Sequence, residues 1–487
     1  MRRRDFLAAF LGGATLGRVR GTPPAHPARP SRITPAGRGP VFRPEAFGAR
    51  GLEGGARDET GPLRRALRAA YEAGTGTVEL APGRIYIVTT LPLYPGITIE
   101  GNGATFLRKA DSVGKWSRVL NAAHPEGVRW EGPGDSPLTV VRRLIVDGNR
   151  ENQAAWKGNH GMEQAHLLFL TGGGSGGGRL RILVEECATV ENVADGIAVY
   201  SDAEVDIRDH FAENCFRGGI TVLGGNSVTT VDGYTARGRD RSKAVDIEVE
   251  GYRPAHVRLS RCRLERGLQI VPGPDSVTEL RDVVLEEPPY YVTGWSARGR
   301  RTERVLIRDS VLPGSPVRAA AGRASAAYNP VNVEFRNVTF RVGKDAGSRA
   351  RNLCGMVVHW HGSRRDQSLR LEGCRFRVEE AGLDGSETLF GIFSYPVREG
   401  GGCRVEVVGT EFGEGLDWAV AAEGGGEWLL EGVTSRARGL MRWKWLPERY
   451  LDLTLAGVDH LGPGELLRNA TGRSSRKNVV RRRSGGP

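Results

Sequence analysis

The six cysteines of this 487-residue chain, Cys187, Cys215, Cys262, Cys354, Cys374 and Cys403, include no C-x-x-C pair. A zinc site is therefore not expected. Each thiol reads instead as a small buried hydrophobe at one repeat-equivalent position, giving stacked free thiols. Long apolar runs are missing too: the stretch Leu7 to Leu16 falls well short of the ~20 residues that cross a bilayer, so no stable membrane span is expected. No Lys-Ser or Lys-Thr follows the tract Gly172 to Gly178, which reads as a flexible turn and not a phosphate loop. Charge of one sign is scarce in the body. The formal net charge is +12, but Arg2, Arg3, Arg4, Arg18 and Arg20 against Asp5 carry +4, and Arg468, Arg473, Arg476, Lys477, Arg481, Arg482 and Arg483 carry +7. About +1 is left between them, so no nucleic-acid partner is expected.

What is present begins with Arg3-Arg4-Asp5-Phe6-Leu7 before the short apolar run, the pattern of a twin-arginine export signal. The expected organisation is a signal over 1–21, a Pro-rich linker over 22–44, one domain over 45–466 and a basic disordered tail over 467–487. The destination implied is the periplasm, the cell surface or the medium.

Glycine, at 69 residues, favours many turns over long helices. From Arg179 onward short alternating apolar runs recur, starting at Val205, Val228, Val257, Val277, Val305, Val331, Leu369, Val405, Trp428 and Leu451, at spacings of 20 to 38 residues. One coil of a parallel β-helix has this size, and propeller blades are larger. Alternation puts one face of each run on a continuous core, while Asp209, Asp232, Asp282 and Asp309 recur at the turn after the strand. The wider spacings hold insertions such as Arg341 to Arg351 and Glu379 to Thr388. Leu63, Ala66, Leu67, Ala70 and Tyr71 have helical spacing, with Pro62 in the first turn and Gly74 at the end. The expectation is an all-β, single-stranded parallel β-helix of about ten or more coils, closed by an N-terminal capping helix that covers its edge.

The segment Val41-Phe-Arg-Pro-Glu-Ala-Phe-Gly-Ala-Arg-Gly, then Asp58-Glu-Thr, Gly76-Thr-Val-Glu-Leu-Ala-Pro-Gly-Arg-Ile-Tyr and Ile97-Thr-Ile-Glu-Gly-Asn-Gly-Ala-Thr, resembles the N-terminal part of pectate-lyase-superfamily right-handed β-helices, polygalacturonase-like enzymes included. The resemblance implies a polysaccharide partner. It departs from the polygalacturonase motifs at three places: Val193-Ala-Asp-Gly-Ile-Ala-Val keeps only Asp195 of the aspartate pair, Gly218-Gly219 has lost the histidine of His-Gly, and Asp246-Ile-Glu248 stands where Arg-x-Lys is expected.

The candidate chemistry follows from aligning His166-Leu-Leu, Asp195-Gly-Ile, Gly218-Gly-Ile and Ala244-Val-Asp-Ile-Glu on successive coils. Asp246, Glu248 and Glu250 then share one outer face, where mutual repulsion tends to raise a carboxyl pKa. Outward neighbours two residues apart on a strand lie about 6.5 to 7 Å apart, which suits the two carboxylates of an inverting glycosidase. Asp195, Asp246 and Glu248 are the catalytic candidates for a glycoside hydrolase; His166, Arg217, Lys243, Tyr200, Arg150 and Glu250 are the substrate-binding candidates, with Asp147, Trp156 and His160 nearby. No cofactor is required, and calcium is the alternative ligand for the acids. A polysaccharide lyase, with Arg217 and Lys243 as cations, and a non-catalytic glycan-binding envelope or spike module remain as other readings; the oligomeric state is open.

Overall fold

The computed structural model describes residues 39–483 apart from 53–54, 56, 129, 131–133, 157–161, 173–177, 239–242, 251–253, 274, 294–303, 317–325, 329–331, 344–351, 360–366, 380–382, 384–386, 395–402, 423–425, 444–450 and 470–478. The twin-arginine-type signal, most of the linker, His160 and much of both expected insertions lie outside the described residues. The chain divides into two compact units, residues 1–221 with 227–235, and residues 222–226 with 236–487.

In the first unit the helix Thr60–Glu72 buries Leu63, Ala66, Leu67 and Ala70 against the strands Val41–Phe42, Thr77–Glu79 and Leu91–Pro92, and so covers the first coil as the spacing predicts. Tyr71 is half-buried and stacks on Tyr94 at 4.9 Å. Strand Val41–Phe42, at the end of the expected linker, already pairs with Thr77 and Val78. Beyond the helix every coil adds parallel strands to three ladders. One runs through Thr98–Glu100, Thr139–Arg142, Leu180–Glu185, Ala203–Arg208 and Ser227–Asp232. A second runs through Ile85–Val88, Thr105–Arg108, Ile145–Asp147, Ala188–Val190 and Phe211–Glu213. The third joins Leu91–Pro92, Leu120–Asn121, Leu168–Leu170 and Ile197–Val199.

A left-handed residue follows the last four strands of the first ladder: Arg143, Glu186, Asp209 and Gly233 have φ of 52°, 51°, 47° and 75°. Three of them donate their N–H to the next coil: Arg143 to Glu185 O at 3.0 Å, Glu186 to Arg208 O and Asp209 to Asp232 O, both at 2.9 Å. Asp209 thus sits at the turn where the repeat placed it, because Asp tolerates this conformation better than most residues. The residue after it is buried. At that position burial pushes the His210 imidazole down to about 3, and the ring lies nearly parallel to Tyr234 at 5.9 Å.

The second unit repeats the arrangement. Val305, Val333, Leu369, Val405, Trp428 and Leu453 stack inward on successive strands. Phe340, Phe376 and Phe412 form a ring ladder at 4.7 and 4.8 Å, tilted by 14° and 12°. Three of the expected run starts are displaced. Val205 pairs with Thr229, not Val228, and Val305 pairs with Thr278, not Val277; Val277 is 36% exposed, while Thr229 and Thr278 face the core. Likewise Leu453, not Leu451, faces Trp428. Threonine has the shape of valine and strand propensity to match, so hydrophobicity alone assigns the wrong parity there.

Cys187, Cys262 and Cys374 follow left-handed residues at the same turn position, and donate to the carbonyl two residues back at 3.2, 3.3 and 3.7 Å. Cys215 and Cys354 lie elsewhere; all five are buried and unbridged, and the side chain of Cys403 is outside the described residues. Within the span expected to be a disordered tail, Leu467–Asn469 pairs with Met441–Trp443 and Val479–Arg483 with Asp452–Ala456. Val479 and Val480 meet an open strand edge, whose unpaired backbone groups favour pairing despite the basic composition.

Candidate active site

The third ladder of the first unit fixes the site. Leu168 pairs with Leu120 on one side and Ile197 on the other, which brings Arg118, His166 and Asp195 to the starts of three successive coils. Backbone bonds from Val119 N to His166 O (3.4 Å) and Leu167 N to Asp195 O (3.1 Å) hold that alignment, of which the sequence predicts the His166 and Asp195 part. The His166 and Asp195 side chains are fully buried, with Nδ1 3.0 Å from Oδ2. The contact is close but lacks hydrogen-bond alignment. Nδ1 and both Asp195 oxygens have no hydrogen-bond partner among the described residues.

His166 Nε2 lies 3.2 Å from Gln164 Oε1, which also accepts the Tyr200 hydroxyl at 2.9 Å. Both ring nitrogens therefore lie near a side-chain oxygen. The imidazole is parallel to Phe169 at 5.8 Å; Phe169 meets Tyr200 at 4.7 Å and carries the Arg118 guanidinium 3.4 Å above its face.

Behind the pair lies Arg108, buried at 1% exposure, where desolvation brings its pKa down to about 10. Its Nη2 donates to His166 O and its Nη1 to Asn192 Oδ1, each at 3.0 Å. Asn192 Nδ2 in turn donates to Asp195 O at 2.7 Å and Ala165 O at 3.0 Å. One guanidinium and one amide thus tie the backbone of both members of the pair. Sequence reasoning passed over Arg108, Asn192, Gln164, Phe169 and Arg118. A signal existed for Arg108, which stands at an inward position of the alternating strand Thr105–Arg108, where an arginine needs interior partners. Glycine at 218 also has a cause. A Cβ there would sit 3.0 Å from Asp195 Oδ1 and 2.6 Å from Thr221 Oγ1, so a side chain at this position requires Thr221 to move.

The acidic strand Lys243–Glu250 belongs to the second unit. Val245, Ile247 and Val249 enter the core as expected, and Asp246 and Glu248 have the opposite parity. Three mutually repelling outer acids are not what is found. Asp246 is 2% exposed and accepts a 2.8 Å bond from Lys243 Nζ, because a lysine three residues earlier reaches back over the strand and neutralises it. Lys243 is thus engaged by Asp246. Glu248 is half-buried, and the Glu250 side chain is outside the described residues.

Of the expected substrate-binding residues, Tyr200 and His166 come together with Asp195. Arg217 is held by Glu163, through its carbonyl at 3.1 Å and its carboxylate at 3.5 Å, and Arg150 lies 3.8 Å from Glu191 and 5.9 Å from the Trp156 ring. Asp147 accepts the Asn149 N–H at 2.8 Å, shaping its own turn. Among the described residues no three His, Cys, Asp or Glu side chains are grouped to hold a metal ion, and no helix is long and apolar enough to cross a membrane.

No protein-family model matches the chain, and no curated protein matches it. Its structure is similar to that of a mutant tailspike protein of E. coli bacteriophage HK620 in complex with pentasaccharide, with a TM-score of 0.50 and 12% identity over 90% of this chain and 78% of that one. It is also similar to the family 28 exopolygalacturonase of Yersinia enterocolitica (TM-score 0.46, 12% identity, 92% and 79% covered) and to the A-module of an Azotobacter vinelandii mannuronan C-5 epimerase (0.43, 16%, 92% and 100%). The likeness shows the fold, a right-handed parallel β-helix.

Proposed function

We propose that this chain is a carbohydrate-active β-helix that cleaves an extracellular polysaccharide by proton transfer at the Asp195–His166 pair. The observation that carries the reading is a buried carboxylate 3.0 Å from an imidazole, with neither carboxylate oxygen hydrogen-bonded among the described residues. A carboxylate that only stabilises the fold is ordinarily satisfied by donors, since an unsatisfied buried oxygen costs about 1 to 3 kcal/mol or more. One buried without a donor beside an aromatic cluster is suited to take or give a proton, and proton transfer from a positioned side chain contributes about 10² to 10⁴ in rate. The fold supports the substrate class, as a tailspike of the same architecture holds a pentasaccharide.

Hydrolysis of an O-glycosyl bond is the first reading, with Asp195 as the acid or base and His166 setting its charge. Elimination is the second, favoured by one observation. The imidazole, the Tyr200 hydroxyl and the Arg118 guanidinium surround Phe169, and a lyase needs a base, a proton donor and a cation against the anion that forms. Incubation with a polysaccharide panel, read by reducing ends and by ultraviolet absorbance of unsaturated uronates, separates the two. New reducing ends without absorbance support hydrolysis; absorbance supports elimination. Products released equally by Asp195→Asn reject the site.

A further inference from the structure

The capping helix Thr60–Glu72 is fastened to the first coils beside a buried histidine. His124 follows strand Leu120–Asn121 and is 7% exposed. Its turn is closed by its own N–H to Asn121 O at 3.3 Å and by Gly127 N–H to His124 O at 2.8 Å, so the ring is held in place. That ring stands between two donors. The Glu126 backbone N–H donates to Nδ1 at 3.0 Å, and Arg64 Nη2 of the helix lies 3.2 Å from Nε2. The same Arg64 ties the helix down. Its Nε and Nη2 donate to Thr90 O at 3.1 and 2.9 Å, and its Nη1 to Glu126 Oε1 at 3.0 Å.

Imidazole chemistry makes this arrangement sensitive to acid. A neutral ring has one nitrogen lone pair to offer, and an imidazolium has none. Neutral His124 therefore satisfies one of the two donors, whereas protonated His124 satisfies neither and sets a second positive charge beside Arg64. The charged groups facing the ring are Arg64 from the helix and the Glu126 carboxylate from its own turn. Arg68, one turn further along the helix, faces the Tyr94 hydroxyl, which donates to Glu126 O at 3.2 Å. Glu126 is half exposed and already engaged by Arg64, so it offsets little of the added charge. Burial first and the Arg64 charge second push the His124 pKa below its ordinary 6.5, and Glu126 opposes them. Docking of the helix is thus complete above 6.5 and weakens as the pH falls, because the released ring takes up a proton that the docked ring refuses.

We propose that His124 is an acid-sensitive latch on the capping helix: the neutral ring closes against Arg64 and Glu126, the protonated ring is expelled, and the helix opens more readily as the pH falls. Opening bares the first coil, whose strands the helix covers, and so ties acidity to exposure of a strand edge. The latch stands apart from the Asp195–His166 centre and does not depend on the catalytic reading.

The test is amide hydrogen exchange of the full chain, followed on peptides that span Thr60–Glu72 and corrected for intrinsic exchange, at about pH 7 and about pH 5. The expected result is a helix that opens about tenfold or more readily at the lower pH and recovers on return to the higher. Peptides from the Phe376 and Phe412 coils should not share the change. His124→Gln, whose side-chain oxygen accepts from Arg64 and takes up no proton in this range, should leave the helix equally protected at both values. Glu126→Gln should keep the acid response. A helix protected equally at both pH values, a response that survives His124→Gln, or one that disappears with Glu126→Gln each overturns the latch. Where His124→Gln already loosens the helix at neutral pH, the imidazole resonances of the unaltered protein decide. Titration of His124 over the range in which exchange accelerates supports the latch, and titration over any other range overturns it.

Discussion

Asp195 and Asp246 are two buried carboxylates on strands of the same kind of coil, and they are treated differently. Asp246, in the second unit, takes the ammonium of Lys243 at 2.8 Å, a side chain that is itself about a third exposed. Asp195, in the first unit, faces an imidazole that is itself fully buried. Burial alone therefore does not distinguish the two carboxylates; what differs is the partner, an ammonium hydrogen-bonded to Asp246 and an imidazole beside Asp195.

The largest expected effect breaks or confirms that contrast directly. Asp195→Asn should lower product release at saturating polysaccharide by about 10² or more, with little change in the denaturation midpoint. If the midpoint collapses instead, or Asp246→Asn is the variant that silences turnover, the two carboxylates have been assigned the wrong way round. The next effect is on stability. Lys243→Met removes the ammonium from the buried Asp246 and should cost about 1 to 3 kcal/mol in denaturant titration, the usual loss when a buried acceptor loses a charged donor. A cost under 1 kcal/mol would mean that Asp246 does not depend on this lysine.

A third measurement concerns a buried histidine with no carboxylate beside it. His210 is held neutral by burial, with its folded pKa down at about 3, far below the ordinary 6.5. The unfolded chain then binds a proton that the folded one does not, so His210 costs no stability at neutral pH, and stability falls as pH drops from 6.5 towards 3. The slope is about 1.4 kcal/mol per pH unit once the unfolded imidazole is charged. His210→Phe should flatten that slope by about one proton, as read from urea midpoints at pH 5 and 7. An unchanged slope would show that other groups carry it. The smallest effect tests the turn ladder: Gly432→Ala places a side chain at φ 57° and should cost about 1 to 2 kcal/mol, with no Cβ clash to add to it.

Much of the fold was legible because its determinants are local. Strand alternation, left-handed Asp and Gly at the turns and the amphipathic spacing from Leu63 to Tyr71 each act over a few residues, and each leaves a pattern. Parity at Thr229 and Thr278 was misread because shape, not hydrophobicity, qualifies threonine for the core. The site was half legible. The alignment of His166 with Asp195 follows from coil register, but Asp246 was read as one of three free acids because the reach of Lys243 back over the strand depends on a rotamer.

By itself the sequence determined the repeat, its parallel stacking and its N-terminal cap, since each coil carries its own hydrophobic face and turn. It also placed His166 and Asp195 one coil apart. Only the tertiary structure decided that Arg108 and Asn192 hold that pair from behind, and that a side chain at position 218 would crowd Thr221 and Asp195. Those contacts connect residues tens of positions apart, and stacking successive coils about 4.8 Å apart is what brings them within reach.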